Sequence, residues 1–175
     1  VRSFAAEVRF PLAAPDVVLM RIEGEDFWLG VPSALELLDI AANYAWQRLV
    51  PDAVAEPGRQ RLLDWLDDPD HPASWKRLHV AVQPLGLYLY GVPFFVAARI
   101  ASNLLHHYSL FRVWALLNLN FDAERAEAAD WIAAAMAWLL SSKPDAKERN
   151  ALWAELTTPG RLPVEAPGVL PEWMG

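Results

Sequence analysis

The adjacent pair His106-His107 has the most reactive side chains in this sequence. Two imidazoles can ligate a metal or move a proton. On a helix, however, neighbouring residues point about 100° apart, and metal-binding pairs prefer i,i+3 or i,i+4 spacing. No HExxH surrounds the pair, and residues 83–121 contain no carboxylate. The plainer reading is a helix C-terminus, where imidazolium complements the dipole. His79 falls inside a helical pattern and His71 inside a turn, neither with a partner at useful spacing. Asp64, Asp67, Asp68 and Asp70 form the densest carboxylate cluster. Paired carboxylates can do acid–base work or bind a hard cation, but the EF-hand pattern is missing, so a solvated helix end is expected. Arg59, Arg61, Lys76 and Arg77 flank the cluster and are expected to balance it as salt-bridged surface. Neither a GxGxxG nor a GxxxxGK[ST] phosphate loop occurs, nor a GxSxG nucleophile elbow. Cysteine is absent, which removes thiol nucleophiles, disulfides and cysteine-rich zinc sites. The expectation is no catalytic residue, no metal and no cofactor.

Tryptophan is the outlier, with nine in 175 residues. Most belong in a core, because an indole buries a large apolar body. Trp and Tyr also anchor protein interfaces. Trp173 stands in a proline-rich segment with no room to be core, so it is a candidate intermolecular anchor; docking on its own domain is the other reading. Trp153 and Trp28 complete the candidate partner-binding set.

These residues need elements to carry them. The runs 17–22 and 27–31 flank a glycine-containing turn and predict a hairpin, with 7–12 as a third strand at an edge. Ser33 and Glu36 fit a capping box and open a helix ended by Pro51, with Leu37, Ile40, Ala41 and Tyr44 on its buried face. A second helix covers 59–67, with Leu62, Leu63 and Leu66 inward. A third restarts near Ala73-Ser74, and Pro84 should kink or break it. Pro93 opens the next, whose broad face carries Phe94, Ala97, Ala98, Ala101, Leu104 and Leu105, and which ends near Tyr108-Ser109. A short helix follows over 110–117, with Phe111, Val113, Trp114 and Leu117 apolar. Asp122 is placed to cap a helix over 123–140, and the last helix covers 145–156. Prolines 159, 163, 167 and 171 favour extended chain beyond it. The fold class expected is mainly α: one multi-helix domain over residues 1–158, including an N-terminal hairpin at about 8–31, then a Pro-rich tail over 159–175.

Charge divides the chain in the same way. Residues 83–121 hold only Arg99 and Arg112, whereas both flanks are acidic, and the net charge is −7. The middle is therefore expected to be core and the flanks its solvated wrapping. An acidic balance argues against a general nucleic-acid partner. The most apolar run, 85–98, is shorter than a spanning helix and contains Gly86, Gly91 and Pro93. No membrane partner is expected. The first residues lack a secretory h-region, and the absence of cysteine fits a reducing compartment, so a cytoplasmic location is expected.

The order of parts resembles a family. A short hairpin leads through VPSALELLDIA into a capped helix. Trp- and Ala-rich helices follow, including FRVWALLNLNFDAERAEAADWIAAAMAWLL, and a charged helix, PDAKERNALWAELTTPG, precedes a Pro-rich end. Over residues 10–158 this is similar to the tail assembly chaperones of long-tailed phages that infect high-GC actinobacteria. The resemblance implies a non-enzymatic protein in the host cytoplasm. Such a protein binds the long helical tape-measure protein and keeps it soluble until tail-tube subunits polymerise around it. A helical virion adaptor or regulatory binding module is the alternative, and an enzyme with an apolar helical pocket is a third. In that third case His106, His107, Arg99 and Arg112 are the polar suppliers.

Overall fold

The computed structural model describes residues 6–9, 17–123 and 125–159, apart from the side chains of 47, 76 and 79–81. Strands β1 (Ala6–Arg9), β2 (Val17–Ile22) and β3 (Glu25–Gly30) form an antiparallel sheet in the order β1-β2-β3. Alternation decides its faces. Val18, Met20, Ile22, Phe27 and Leu29 point inward and are buried, while Asp26 and Trp28 point outward. The β2–β3 turn is two residues, Glu23 and Gly24, with φ of 51° and 87°. Positive φ at both positions gives the turn whose twist matches the flanking strands. Across the pair, Arg21 grips Asp26 in a fork at 2.6 and 2.9 Å. The free edge of β3 is covered locally: Gly30 N–H donates to the Ala53 carbonyl and Ala55 N–H to that of Trp28.

Seven α-helices follow among the described residues: α1 (Ala34–Ala42), α2 (Gly58–Asp67), α3 (Trp75–Tyr90), α4 (Phe94–His106), α5 (Tyr108–Leu119), α6 (Ala128–Ser141) and α7 (Ala146–Thr157). The molecule is mainly helical with a small N-terminal sheet, as the residue pattern predicts. The Ser33–Glu36 capping box forms, with Ser33 N–H donating to Glu36 Oε2 at 2.9 Å. One hydrophobic cluster joins the inner face of the sheet to α1 through α6 and reaches Leu156 of α7. At its centre α4 buries Phe94, Val96, Ala97, Ala98, Ile100, Ala101 and Leu104, and α1 packs along it. The α3–α4 corner is tight. Gly91 closes α3 with φ of 68°, and a Cβ at Gly86 would lie 2.9 Å from Phe94 Cβ.

Several boundaries differ from those the sequence predicts. The helix from Ser33 stops at Ala42, not at Pro51. Asn43 Nδ2 donates to the Asp39 carbonyl, Tyr44 turns to φ of 54°, and a 3-10 turn over Trp46–Leu49 replaces the last stretch. Tyr44 lies at the rim against Phe94 rather than in the buried stripe. Leu63 is only half-buried. Helix α3 runs through Pro84, which is exposed, so water can meet the carbonyl that the ring leaves without a donor. Helix α4 ends at His106 and α5 begins at once. Leu105 is exposed, because only the opposite side of this turn meets a neighbour. Helix α6 starts at Ala128, capped by Glu127 and Asp130 rather than by Asp122. The Asp122 carbonyl instead accepts the N–H groups of Arg125 and Ala126 in a turn.

Candidate functional site

Helix α5 is built from two opposed apolar sides. Phe111 and Ala115, one turn apart, are buried on one of them. The Phe111 ring meets Phe121, Trp131 and Trp138 with centroids 6.1, 5.9 and 5.8 Å away, and Tyr108 stacks on Trp131 at 6.2 Å. On the other side Leu110, Val113 and Leu117 stand at i, i+3 and i+7, joined by Leu116. These four are 66, 58, 80 and 58% exposed. Leu105 and Leu119 extend the apolar surface at either end. Arg112 is the one charged residue of the helix. Nothing polar interrupts α5 until Asn118 and Asn120. The latter, with φ of 49°, ends the helix and donates its N–H to the Ala115 carbonyl.

This row is what the middle of the sequence concealed. Val113 and Leu117 belong to a segment expected to be core, yet α5 presents them to solvent. A helix apolar all round cannot bury every side when only one side has neighbours. The detectable signal was that circumference itself: Leu110, Phe111, Val113, Trp114, Ala115, Leu116 and Leu117 leave no polar face for a solvated helix.

The three tryptophans singled out for partner binding do not converge. Trp28, 52% exposed, stands on the outer face of β3, and Trp153, 47% exposed, on α7. These two elements share no substantial contact. Trp173 lies outside the described residues. Of the remaining tryptophans, Trp46 and Trp131 are buried and Trp65, Trp75, Trp114 and Trp138 are half-buried.

The groups with reactive chemistry are dispersed. His106 Nδ1–H donates to the Ser102 carbonyl at 2.7 Å, and the His107 ring stands edge-on to Trp138 at 6.2 Å. The two imidazoles are therefore held in different settings at the α4–α5 corner. His71 stacks on Trp65 at 4.5 Å, and its Nδ1 accepts the Ala73 N–H. The side chains of His79 and Lys76 lie outside the described residues. The flanking arginines do not neutralise the aspartate cluster as expected. Arg59 pairs with Asp52 at 3.1 Å, Arg61 with Glu25, and Arg77 donates to the Pro72 carbonyl. Asp64 accepts from Gln60 Nε2 at 2.8 Å, and Asp68 accepts the Asp70 N–H. Each arginine is nearer another partner, because α2 turns its basic first half toward the sheet and the 52–56 loop. No group of three His, Asp or Glu that could hold a metal occurs among the described residues.

An open depression of about 330 Å³ lies between the end of β3, α1 and the 48–53 segment. Its polar groups are already committed. Arg48 pairs with Asp39 at 2.9 Å and Asp52 at 3.7 Å, and Glu36 is held by Ser33. Arg99 is committed too: its Nη1 donates to the carbonyls of Glu155, Leu156 and Thr158 at 2.6, 3.1 and 2.8 Å. Among the described residues no single helix is long and apolar enough to cross a membrane.

The fold and surface together define a mainly helical protein with an N-terminal antiparallel sheet and one helix that is apolar on both sides. No protein-family model, no curated protein and no solved structure matches this chain significantly.

Proposed function

We propose that this chain is a non-enzymatic protein-binding protein whose outward α5 face takes an apolar helix of a partner. The observation that carries this reading is the row Leu110, Val113, Leu116 and Leu117, standing in solvent on a helix with a single charge. Their i, i+3, i+7 spacing suits a helix laid alongside. Each keeps more than half its surface to bury, so covering the four contributes on the order of 4 kcal/mol before the costs of association. A net charge of −7 elsewhere keeps such a surface dispersed. Within this class, the resemblance to tail assembly chaperones makes the partner a long helical tape-measure protein, bound in the host cytoplasm and released as the tail tube grows.

The test is a tagged pull-down from the native producing lysate beside analysis of finished particles, with Leu117→Glu as the paired variant. The expected result is a long helical client held by the wild type, lost with Leu117→Glu, and no copy of this chain in particles. Fixed copy number in particles would make it a structural adaptor. A client retained equally by Leu117→Glu would move the binding surface away from α5.

A further inference from the structure

We infer that residues 160–175 of this same chain lie along the outward face of α5 when no partner is bound. The inference rests on reading that face as a binding surface, and it adds the device that regulates access to it.

Four observations select this occupant. The first is where the chain leaves the fold. Arg99, midway along α4, binds the carbonyls of Glu155, Leu156 and Thr158, so the exit at Pro159 is fixed against α4. From Arg99 to the end of α4 is seven residues, roughly 10 Å, and α5 follows with a length of about 18 Å. Sixteen further residues extend up to about 50 Å, enough to reach α5 and follow it to its end. The second is composition. Leu162, Val164, Val169, Leu170, Trp173 and Met174 supply apolar side chains, and Pro163, Pro167 and Pro171 reduce the conformational freedom lost on docking.

The third is charge. The segment carries Glu165 and Glu172 against Arg161, and the α5 face offers Arg112 with no carboxylate anywhere in 83–121. A second copy of α5 would instead bring Arg112 toward Arg112. The fourth is tethering. A short linker holds its end at an effective concentration on the order of millimolar, so weak docking suffices to cover the face. A free second copy has no such advantage. A partner helix must displace the segment, which sets a threshold for binding and shields apolar surface until a client arrives.

The chain contains no cysteine, so Gly175→Cys gives a single attachment site for a nitroxide label on the full-length protein. Paramagnetic broadening is then read at residues 105–119 in the isolated protein, without a client. The expected result is selective broadening of the Leu110, Val113 and Leu117 signals that persists on dilution. It should be lost in Leu110→Glu/Leu117→Glu, with the melting temperature little changed. Replacing Leu170 and Trp173 by serine should raise binding of an apolar dye several-fold, and Leu117→Glu should reverse that rise. Broadening spread evenly over the molecule would overturn the inference. So would broadening that appears only between labelled and unlabelled molecules, since a second copy would then be the cover. Client capture is absent from these measurements, so failure of the tail to dock and failure of the binding role are read separately.

Discussion

Tyr90 and Gly86 show how single atoms decide this fold. The Tyr90 hydroxyl donates to the Leu37 carbonyl at 2.8 Å, tying α3 to α1 inside the core. Burial pushes its phenol well above the ordinary value of 10. The folded state therefore keeps this proton after the unfolded chain has released it. Stability from this group is complete below pH 10 and falls as pH rises beyond it. Tyr90→Phe should cost about 0.5–1.5 kcal/mol at neutral pH by urea unfolding and flatten the alkaline loss. At Gly86 two effects oppose. Alanine in a helix normally gains roughly 0.5–1 kcal/mol over glycine. Here the new Cβ meets Phe94 Cβ at 2.9 Å and its backbone N at 3.2 Å, so α3 and α4 must part. Overpacking of about 1–3 kcal/mol wins, and Gly86→Ala should lower the urea midpoint. Neither effect is legible in the sequence, because both partners are brought together by tertiary packing.

At the scale of elements, local chemistry was legible where it is self-contained. The hairpin and the Ser33 cap each satisfy their own backbone groups within a few residues, so pattern alone located them. Ser33→Ala should cost about 0.5–2 kcal/mol, measured by thermal or urea unfolding. The same local devices have an acid signature. Arg9 hydrogen-bonded to Glu7, Arg21 to Asp26 and Ser33 to Glu36 hold these three carboxyls below their usual values. Their contribution is present above the ordinary carboxylate range and is lost as pH falls through the lowered values. Backbone signals of the hairpin and of the first turn of α1 should therefore begin to shift in that acid window, ahead of the core. The start of α6 was misplaced for a different reason. Asp122 is a good cap by type, but Phe121 turns in against Phe111 and Trp131, at 6.1 and 5.0 Å, and the chain must complete that turn before a helix begins. Pro84 misled similarly, since its cost depends on exposure that no propensity contains.

The whole molecule shows why the candidate surface was hidden while the fold class was plain. Helix count and the N-terminal sheet follow from periodicity and caps. Which side of an apolar helix faces inward depends on the neighbours available, and α5 has them on one side only. The two sides should respond in opposite ways to substitution. Phe111→Ala opens a cavity among four aromatic rings and should cost about 3–5 kcal/mol. Leu117→Glu lies six positions further on, and unfolding stability should stay within about 0.5 kcal/mol while apolar-dye binding falls. Urea unfolding and dye titration on the two variants check this contrast. A final consequence concerns force. The guanidinium of Arg99 clasps the last carbonyls of α7 from a neighbouring helix, with Thr158 the outermost of the three. A pull on the chain beyond Pro159, by a departing client or a growing assembly, first loads that clasp in shear. The strain passes into α4, the best-buried helix, before any turn of α7 unwinds, so the arginine works as a cable clamp where the chain leaves the body.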